Sequence, residues 1–508
     1  MKVGPSSNSA GLLKELGLFD ATMIVVGSMI GSGIFIVSAD IAHQVKSPAL
    51  LLIAWVISGA MTLICAISYG ELAAAMPHAG GQYVYLRESL GAIWGFLYGW
   101  TMLMVIQTAT IAAVAIAFAK FTAVLVPWFS ASAWIWKIGT FGPWKLWFGS
   151  LGPYSVGLSN QNLLAIVSIV LLTWVNTRGI QTGKAVQNVF TVAKAGALGL
   201  LVVAGFWYST QAARTANFVH FWSGSGWAGL HAYPPDDPKW MIGTLTLIGV
   251  AMVGSLFAAD AWNNVTFTSA EVRNPNRNLP LSLGLGVGLV TLLYTLANVA
   301  YMRVLPVSGD PHGTTALARG IEFAADGRVG TAVAEVILGP AGAIIVAIAI
   351  MVSTFGCNNG LILSGARIYY AMAKDQLFFR SVGNVNSRHA PGVALIVQCV
   401  WASVLCLSGT YSQLLDLTMF TVIVFYILTL IGLFLLRWRR PEMERPYRAF
   451  GYPILPAIYI IMAIFIEVQL LRYKPLYTWP GLIIVLLGAP VYWLWKLAAK
   501  MGANHGRS

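Results

Sequence analysis

Apolar runs long enough to cross a lipid bilayer follow one another along almost the whole chain. A membrane-spanning helix needs about 20 consecutive apolar residues, and such runs are separated here mostly by shorter polar segments. Only 10% of the 508 residues are charged, whereas soluble proteins carry roughly 25%. The sequence therefore predicts an all-α membrane protein and excludes a soluble one.

The apolar runs predict twelve transmembrane helices. Two of them are longer than the bilayer is thick, and we predict that these are tilted and extend into the aqueous phase. The predicted spans cover residues 19–43, 49–76, 92–126, 161–177, 188–208, 242–270, 281–303, 333–373, 391–409, 413–438, 452–471 and 478–499.

Basic residues predict the orientation of these spans. With twelve spans both termini share a side, and the loops on that side hold the larger share of Lys and Arg. The densest cluster, Arg437 to Arg448, lies beside a predicted membrane exit. Because positive charges concentrate in cytoplasmic loops, we predict a multi-pass protein of the cell (inner) membrane with both termini in the cytoplasm. The net charge of +13 then reflects topology, and no nucleic-acid partner is predicted.

The predicted spans divide into two halves of similar length. Each half contains five helices, and because five is odd, the second half is inserted upside down relative to the first. The long outer segments 127–160 and 209–240 are interpreted as interfacial lids. The predicted units are a cytoplasmic N-terminus (1–18), repeat 1 with helices 1–5 (19–208), an extracytoplasmic loop (209–240), repeat 2 with helices 6–10 (241–438), helices 11 and 12 (439–499) and a cytoplasmic tail (500–508).

The first predicted span is interrupted by Gly27-Ser28-Met29-Ile30-Gly31-Ser32-Gly33. Each interior Gly costs a helix about 1 kcal/mol relative to Ala. One interpretation is close helix packing, because Gly27 and Gly31 have the small-xxx-small spacing. Packing alone does not account for Gly33 or for the adjacent serines. We therefore favour an unwound segment, in which the amides of Ile30 to Gly33 open the second half-helix toward a carboxylate.

The sixth predicted span contains a matching interruption from Phe257 to Asn264. Carbonyls released around Phe257–Ala259 are suited to an ammonium group, and Phe257 is a candidate gate over the substrate. Corresponding interruptions in two inverted halves indicate a transporter's binding site, and together these two describe an α-amino acid. The predicted substrate-binding residues are Ser28, Met29, Ile30, Gly31, Ser32, Gly33, Phe257, Ala258, Ala259, Asp260, Trp262 and Asn263.

Two ionisable residues inside the predicted spans are functional candidates. A charged group in mid-span costs upward of about 2.5 kcal/mol, so Asp260 is predicted to meet a substrate cation, to carry a proton or to order the unwound segment. Lys194 either snorkels to the cytoplasmic surface or takes the place of a coupling cation against carbonyls of the first span. A proton-linked role for Lys194 also stays open, because buried lysines shift their pKa readily.

Weaker polar features complete the set. Ser353, Thr354, Cys357, Asn358 and Asn359 form a stripe in the eighth span that faces the cavity or bonds between helices. The four cysteines lie in apolar segments and are interpreted as small buried residues. No His pair has metal-ligand spacing, no phosphate-binding Gly-rich loop is present and no nucleophile triad is apparent. No cofactor and no metal are predicted, and the protein is not predicted to be an enzyme.

Several motifs resemble a known family. Gly27–Phe35 resembles the first-helix motif of the amino acid–polyamine–organocation superfamily. Phe257–Asn263, continuing through Glu271–Pro280, resembles the sixth helix and following loop of the L-type amino acid transporters, which are the light subunits of heteromeric transporters and their prokaryotic relatives. Pro77–Tyr83 and Arg440–Pro446 agree, so the resemblance covers about residues 15–450.

This resemblance implies a twelve-helix fold with a five-plus-five inverted repeat, alternating access and sodium-independent amino acid exchange. Lys194 matches the family's lysine at the vacated sodium site, and Phe257 matches its aromatic gate. Asp260 matches an acid found in members that accept cationic substrates. The animal members join a heavy chain through a cysteine after span 3. Residues 127–160 contain no Cys, so no disulfide-linked heavy chain is expected.

We therefore predict a sodium-independent amino acid transporter that works as an exchanger on neutral substrates, with cationic substrates left open by Asp260. The nearest alternative is a proton-coupled amino acid uptake permease. A channel would not need two paired breaks or a buried lysine. A membrane enzyme would need a catalytic constellation, and a transport-dead sensor would keep the same binding site.

Overall fold

A computed structural model describes residues 12–146, 149–151, 154–229, 239–407 and 411–505. Residues 230–238 of the predicted outer segment 209–240 therefore lie outside the described residues. The helices are α1 (Leu18–Met29), α2 (Gly33–Val45), α3 (Pro48–Ala75), α4 (Gln82–Leu90), α5 (Ala92–Thr101), α6 (Gln107–Leu125), α7 (Asn160–Thr177), α8 (Ile180–Trp207), α9 (Gln211–Arg214), α10 (Lys239–Ala258), α11 (Asn264–Phe267), α12 (Pro275–Val304), α13 (Ala316–Arg319), α14 (Val329–Leu338), α15 (Pro340–Lys374), α16 (Gly392–Cys406), α17 (Tyr411–Arg439), α18 (Ile454–Tyr473) and α19 (Pro475–His505).

Shorter helical turns connect some of these helices. The turn between α5 and α6 is π-helical, and the three segments form one continuous membrane helix over Ala92–Leu125. The turns are Met102–Ile106, Pro127–Phe129, Thr215–Val219, Ser225–Ala228, Ser269–Glu271, Ala325–Gly327 and Arg380–Gly383.

Ten helices in the described part of the chain are long and apolar enough to cross a membrane. They correspond to ten of the twelve predicted spans, which confirms the prediction of a multi-pass membrane protein. That the protein has twelve transmembrane helices stays a prediction. The fourth and ninth predicted spans are also helices. Asn160–Thr177 begins with three amide side chains, and Gly392–Cys406 has only 15 residues, which is short for a bilayer.

The eighth predicted span is shorter than the sequence suggested. One tilted helix over 333–373 was predicted, but α14 ends at Leu338 and α15 begins at Pro340. Gly339 lies between them with φ 69°. A Gly in the left-handed region ends a helix without a side-chain clash, and a Pro in the first turn begins the next one.

The outer segment 127–160 departs from the all-α prediction. It forms two antiparallel pairs of strands, in which β1 (Trp134–Phe141) pairs with β4 (Tyr154–Ser159) and β2 (Trp144–Leu146) pairs with β3 (Gly149–Leu151). The sequence of β1 is rich in aromatic and β-branched residues, which favour strands. Trp136 is 65% exposed, so the hairpin adds little to the protein core.

The interrupted helices lie next to each other at the centre of the bundle. The first half-helix, α1, packs against α8, α12 and α15, while α10 packs against α2 and α3. A Cβ atom added to Gly27 would lie 2.3 Å from Thr191 Oγ1. Gly27 therefore serves close packing of α1 on α8, as the packing interpretation predicted, and this places α8 directly against the first break.

Candidate functional site

The first break separates α1, which ends at Met29, from α2, which begins at Gly33. Of the four amides that the sequence predicts as carboxylate ligands, two are engaged within the break. Ile30 N–H donates to Val26 O (2.9 Å) and Gly31 N–H donates to Met29 O (2.8 Å). The Gly33 amide belongs to the first residue of α2 and has no acceptor within its own helix.

The carbonyls released at this break bind side chains from three other helices. A buried carbonyl without a partner costs about 1–3 kcal/mol, and here each of five consecutive carbonyls lies within hydrogen-bond distance of a side-chain donor. The last two carbonyls share the single hydroxyl hydrogen of Ser353. The bonds run from Lys194 Nζ to Gly27 O, from Cys357 Sγ to Ser28 O (3.0 Å), from Tyr294 OH to Met29 O (2.8 Å), and from Ser353 Oγ to Ile30 O (3.2 Å) and Gly31 O (3.4 Å).

Lys194 lies beneath the break and does not reach the surface. Lys194 is 1% exposed, and its ammonium group donates to Gly27 O and to Ser353 O (3.4 Å). A buried ammonium requires such acceptors, because the charge has lost its water. The geometry agrees with the interpretation that Lys194 bonds to carbonyls of the first span, and its functional role as a cation substitute stays a prediction.

The second break turns the chain between α10 and α11. α10 ends at Ala258, and Asp260 N–H donates to Phe257 O (3.1 Å). Ala261 has φ +64°, a conformation that costs an L-residue about 1–2 kcal/mol. Strain of this kind is concentrated at functional sites. The turn directs the Asp260 side chain toward the interior before α11 begins at Asn264.

The two breaks contact each other directly. A Cβ atom added to Gly33 would lie 2.8 Å from the Cα atom of Ala258, so only glycine fits at this approach. The Tyr294 hydroxyl group lies within hydrogen-bond distance of both breaks, at 2.8 Å from Met29 O and 3.2 Å from Ala258 O. Tyr294 therefore joins the two interruptions.

Two cavities adjoin the breaks and share Thr110, Asp260 and Ala261. The backbone chamber lies between the breaks and is lined by Ser28, Met29, Gly31, Ser32, Gly33, Thr110, Val114, Phe257, Ala258, Asp260, Ala261 and Cys357. The side-chain chamber is lined by Gln82, Tyr98, Met102, Ile106, Gln107, Thr110, Asp260, Ala261, Asn263, Asn264, Leu361, Val422 and Tyr426.

Asp260 lies where the two chambers meet. Its Oδ1 accepts a hydrogen bond from Tyr426 OH at 2.5 Å. Neither chamber has Lys, Arg or His among its lining residues. The Asp260 carboxyl group therefore faces these chambers with Tyr426 as a hydrogen-bond donor and with no basic residue in their lining.

Nine of the predicted binding residues line a chamber: Ser28, Met29, Gly31, Ser32, Gly33, Phe257, Ala258, Asp260 and Asn263. Ile30, Ala259, Trp262 and Lys194 are buried behind them. Trp262 packs against Tyr69 and Tyr426, with ring centroids 4.8 and 5.3 Å apart. Trp262 therefore supports the second break from behind and does not line a chamber.

The polar stripe of the eighth span was predicted to face the cavity or to bond between helices, and different residues of the stripe do each. Cys357 lines the backbone chamber. Asn359 instead bonds between helices, because its Nδ2 donates to Gly183 O (3.1 Å) and Gln187 Oε1 (3.2 Å). The stripe therefore supports the site on one side and fastens α15 to α8 on the other.

The sequence interpretation missed several residues of the site. Gln107 could have been identified as a candidate from the sequence, because its amide side chain is an isolated polar group in an apolar run. The π-helical turn that precedes it presents Met102 and Ile106 to the side-chain chamber, and such turns often mark functional sites. Tyr294 and Tyr426 carried no signal, because aromatic residues are common in membrane helices.

A buried ion pair holds the end of the second break. Arg367 on α15 bonds bidentately to Glu271, with Nε–Oε2 and Nη2–Oε1 distances of 2.9 and 3.0 Å. The side chains are 1% and 0% exposed. Removing one partner of such a pair costs about 3–5 kcal/mol. The segment that follows the second break is therefore fixed to α15, which also binds the carbonyls of the first break.

Comparisons with known proteins agree with this geometry. The sequence model described as "Amino acid permease" matches residues 16–490. The chain is 29% identical over 494 residues to "Large neutral amino acids transporter small subunit 2" of Homo sapiens, which covers 97% of this chain and 82% of that protein. It is 27% identical over 503 residues to "Asc-type amino acid transporter 1" of Mus musculus, and the matched region covers 97% of this chain and 84% of that protein.

A third relative, "b(0,+)-type amino acid transporter 1" of Homo sapiens, is 27% identical over 483 residues, covering 94% of this chain and 86% of that protein. These matches confirm the resemblance to L-type transporters that the motifs indicated, and they identify a transporter and not an enzyme. The chain is a multi-pass membrane protein that belongs to the amino acid permease family.

Proposed function

We propose that this protein is a sodium-independent amino acid exchanger that works by alternating access. The observation that carries the proposal is the contact between two broken helices, joined by Tyr294, with Asp260 at the junction of two chambers. Discontinuous helices that meet in this way present a positive helix end and released carbonyls to one ligand.

The backbone chamber suits the part that all α-amino acids share. The substrate carboxylate is bound at the start of α2, where the amides around Gly31–Gly33 and the helix dipole favour an anion. The ammonium group is bound by carbonyls near Phe257–Ala259, and Phe257 closes over the substrate as the gate. Binding the common backbone here leaves the side-chain chamber to distinguish one amino acid from another.

Sodium independence rests on Lys194. Its ammonium group bonds to Gly27 O and Ser353 O, and these carbonyl oxygens are of the type that coordinates a cation. A fixed positive charge on them opposes the binding of a second cation by Coulomb repulsion. The driving force for uptake would then come from an amino acid leaving by the same route, which is exchange.

Asp260 sets the range of substrates in this proposal. The side-chain chamber combines apolar walls, such as Met102, Ile106 and Leu361, with the Asp260 carboxyl group. Neutral side chains are held by the apolar walls. Cationic side chains gain a charge-assisted hydrogen bond to Asp260, so that the protein accepts both classes.

The wider architecture follows the same proposal. In this arrangement α1–α2 and α10–α11 act as paired half-helices. It has twelve spans, a five-plus-five inverted repeat with units at 19–208 and 241–438, a cell-membrane location and cytoplasmic termini. We also propose that the protein works without a disulfide-linked heavy chain, since segment 127–160 has no Cys. Migration at the single-chain mass on a non-reducing gel of native membranes tests this point.

The alternative is a proton-coupled uptake permease. The placement of Asp260 favours it, because neither chamber has a basic residue in its lining, and a carboxyl group in such surroundings is suited to carrying a proton. Proteoliposomes separate the two. If the protein is an exchanger, preloading with unlabelled amino acid stimulates uptake of labelled amino acid strongly, and replacing sodium with choline changes nothing. Uptake into empty vesicles driven by a pH gradient would instead establish the alternative.

A further inference from the structure

A further cavity, separate from the two chambers, lies where α8 and α12 end on the same side of the protein. It measures about 640 Å³, and its lining includes Ser209, Gln211, Arg214, Thr215, Phe218 and Arg303. Arg303 is in the last turn of α12, whereas Arg214 belongs to the segment that follows α8. Two guanidinium groups from different parts of the chain therefore converge on one opening.

The segment that carries Arg214 is firmly fastened. Asn217 is 1% exposed, and its Nδ2 donates to Met302 O (2.6 Å) and Leu305 O (2.8 Å). Thr210 Oγ1 donates to Val304 O at 2.9 Å. These bonds tie the segment across the end of α12, so the cavity is a built feature of the fold.

The positive charge of this cavity is not neutralised within the described part of the chain. Neither Arg214 nor Arg303 forms an ion pair there with a carboxylate. The stretch from 183 to 229 contains no Asp or Glu, and α12 contains none either. Two uncompensated guanidinium groups beside one cavity favour an anionic ligand.

Hydrogen-bond donors in the cavity lack acceptors. The buried Nε of Arg303 and the buried hydroxyl of Ser209 have no partner in the described structure. Arg303 Nη2 donates to Phe206 O (3.1 Å), and its guanidinium lies over the Phe206 ring, 5.4 Å from the ring centroid. These contacts position the Arg303 guanidinium group at the cavity, while its buried Nε has no hydrogen-bond partner in the described structure.

Exposed apolar side chains occur along the segments that carry the cavity lining. Trp207 is 91% exposed, Leu200 72% and Val219 70%. Aromatic side chains at the end of a membrane helix lie at the level of the lipid headgroups. A ligand that joins an anionic oxygen group to acyl chains matches both the arginines and this apolar rim.

We propose that this cavity binds the phosphodiester headgroup of an anionic phospholipid. The phosphate oxygens accept hydrogen bonds from Arg303 and Arg214, the Ser209 hydroxyl donates a further one, and the acyl chains lie along Trp207 and Leu200. Free inorganic phosphate shares the same anionic chemistry but lacks the acyl chains.

The test uses the purified full-length protein in a neutral detergent. Binding is measured by native mass spectrometry and by the shift in melting temperature on adding phosphatidylglycerol, phosphatidylcholine or inorganic phosphate separately. We expect phosphatidylglycerol to bind and stabilise the wild type, and phosphatidylcholine and inorganic phosphate to do so much less. Arg214→Gln and Arg303→Gln should each weaken phosphatidylglycerol binding by about tenfold.

Arg472→Gln is the matched control, because Arg472 also lies in the last turn of a membrane helix but does not line this cavity. Equal loss of binding in Arg472→Gln would mean that any arginine at the membrane surface attracts the lipid, and the site would be refuted. An unchanged affinity in Arg214→Gln, or an equal stabilisation by inorganic phosphate alone, would also refute the lipid site. Because the Arg214 side chain forms no ion pair with the described residues, whereas the segment is fastened through Asn217 and Thr210, this variant remains informative if Arg303→Gln fails to fold.

Discussion

The two broken helices are held in different ways. At the first break, side chains of α8, α12 and α15 bond to five consecutive carbonyls from Gly27 to Gly31. At the second break, the backbone turns back on itself, with Asp260 N–H on Phe257 O and Asn264 N–H on Ala261 O. Distant side chains contact both breaks, but at the first break they bond to a run of backbone carbonyls. At the second break they bond mainly to the side chains of Asp260 and Glu271, and the backbone itself is held by local turns that include a strained Ala261.

This difference suggests a division of labour. A segment whose carbonyls are bound by three helices moves only together with those helices, so the first break is suited to hold the substrate backbone. At the second break the backbone between Phe257 and Asn264 is held by local turns, and a residue with strained dihedral angles such as Ala261 is a candidate hinge, so the second break is suited to gating. Both contribute to one site, because the Tyr294 hydroxyl group lies within hydrogen-bond distance of a carbonyl oxygen of each.

The largest effect is expected where the breaks contact each other. In Gly33→Ala, the new Cβ atom would lie 2.6 Å from Ala258 Cβ and 2.8 Å from its Cα, closer than real Cβ atoms approach other atoms. The breaks must then separate, and we expect substrate affinity to fall by about 100-fold or more. The measurement is equilibrium binding of a labelled amino acid to purified protein.

Gly284→Ala is the control for this variant, because a Cβ atom at Gly284 in α12 meets open space. It should bind like the wild type. Wild-type affinity in Gly33→Ala would show that the close approach of the breaks is not needed for binding.

Lys194→Ala should have the next largest effect. Gly27 O would lose its buried donor, at a cost of about 1–3 kcal/mol, and the fixed charge would disappear. We expect a lower melting temperature and a loss of exchange, together with binding that now responds to sodium. Lys184→Ala is the control, since Lys184 lies on the same helix but is only half-buried at its end. If sodium changes neither binding nor stability in Lys194→Ala, the cation-substitute role is wrong.

Tyr294→Phe removes the hydroxyl group that joins the breaks and leaves the ring in place. We expect the exchange rate to fall by about tenfold, as the loss of a buried hydrogen bond of about 1–1.5 kcal/mol implies. Tyr301→Phe on the same helix is a matched control, because the buried Tyr301 hydroxyl has no hydrogen-bond partner in the described structure. Equal exchange rates in the two variants would contradict the joining role of Tyr294.

Asp260→Asn should have the smallest effect on overall transport. We expect uptake of neutral amino acids to stay within about twofold and uptake of cationic ones to fall by about tenfold, because the charge-assisted hydrogen bond becomes a neutral one. A competition panel of all amino acids against one labelled substrate measures this ratio. An unchanged ratio of cationic to neutral uptake would remove Asp260 from substrate selection.

Much of this molecule follows from local sequence. Apolar runs determine the membrane helices, and Gly27–Gly33 and Phe257–Asn264 determine where two of them break, because glycine runs and a charge inside a membrane span are costly. The strands of segment 127–160 were missed, because apolar composition alone does not distinguish a strand from a helix.

Some partners of the breaks could be predicted from the sequence, because Lys194 and the polar stripe with Ser353 are unusual inside membrane spans. Tyr294 and Tyr426 were revealed only by the tertiary structure, since they are distant in sequence from the atoms that they bond to and do not differ in type from ordinary residues of a membrane helix. The same is true of the ion pair between Glu271 and Arg367. Sequence determined that carbonyls must be released in the first span, since unwinding always frees them, whereas only the packing of distant helices decided which side chains receive them.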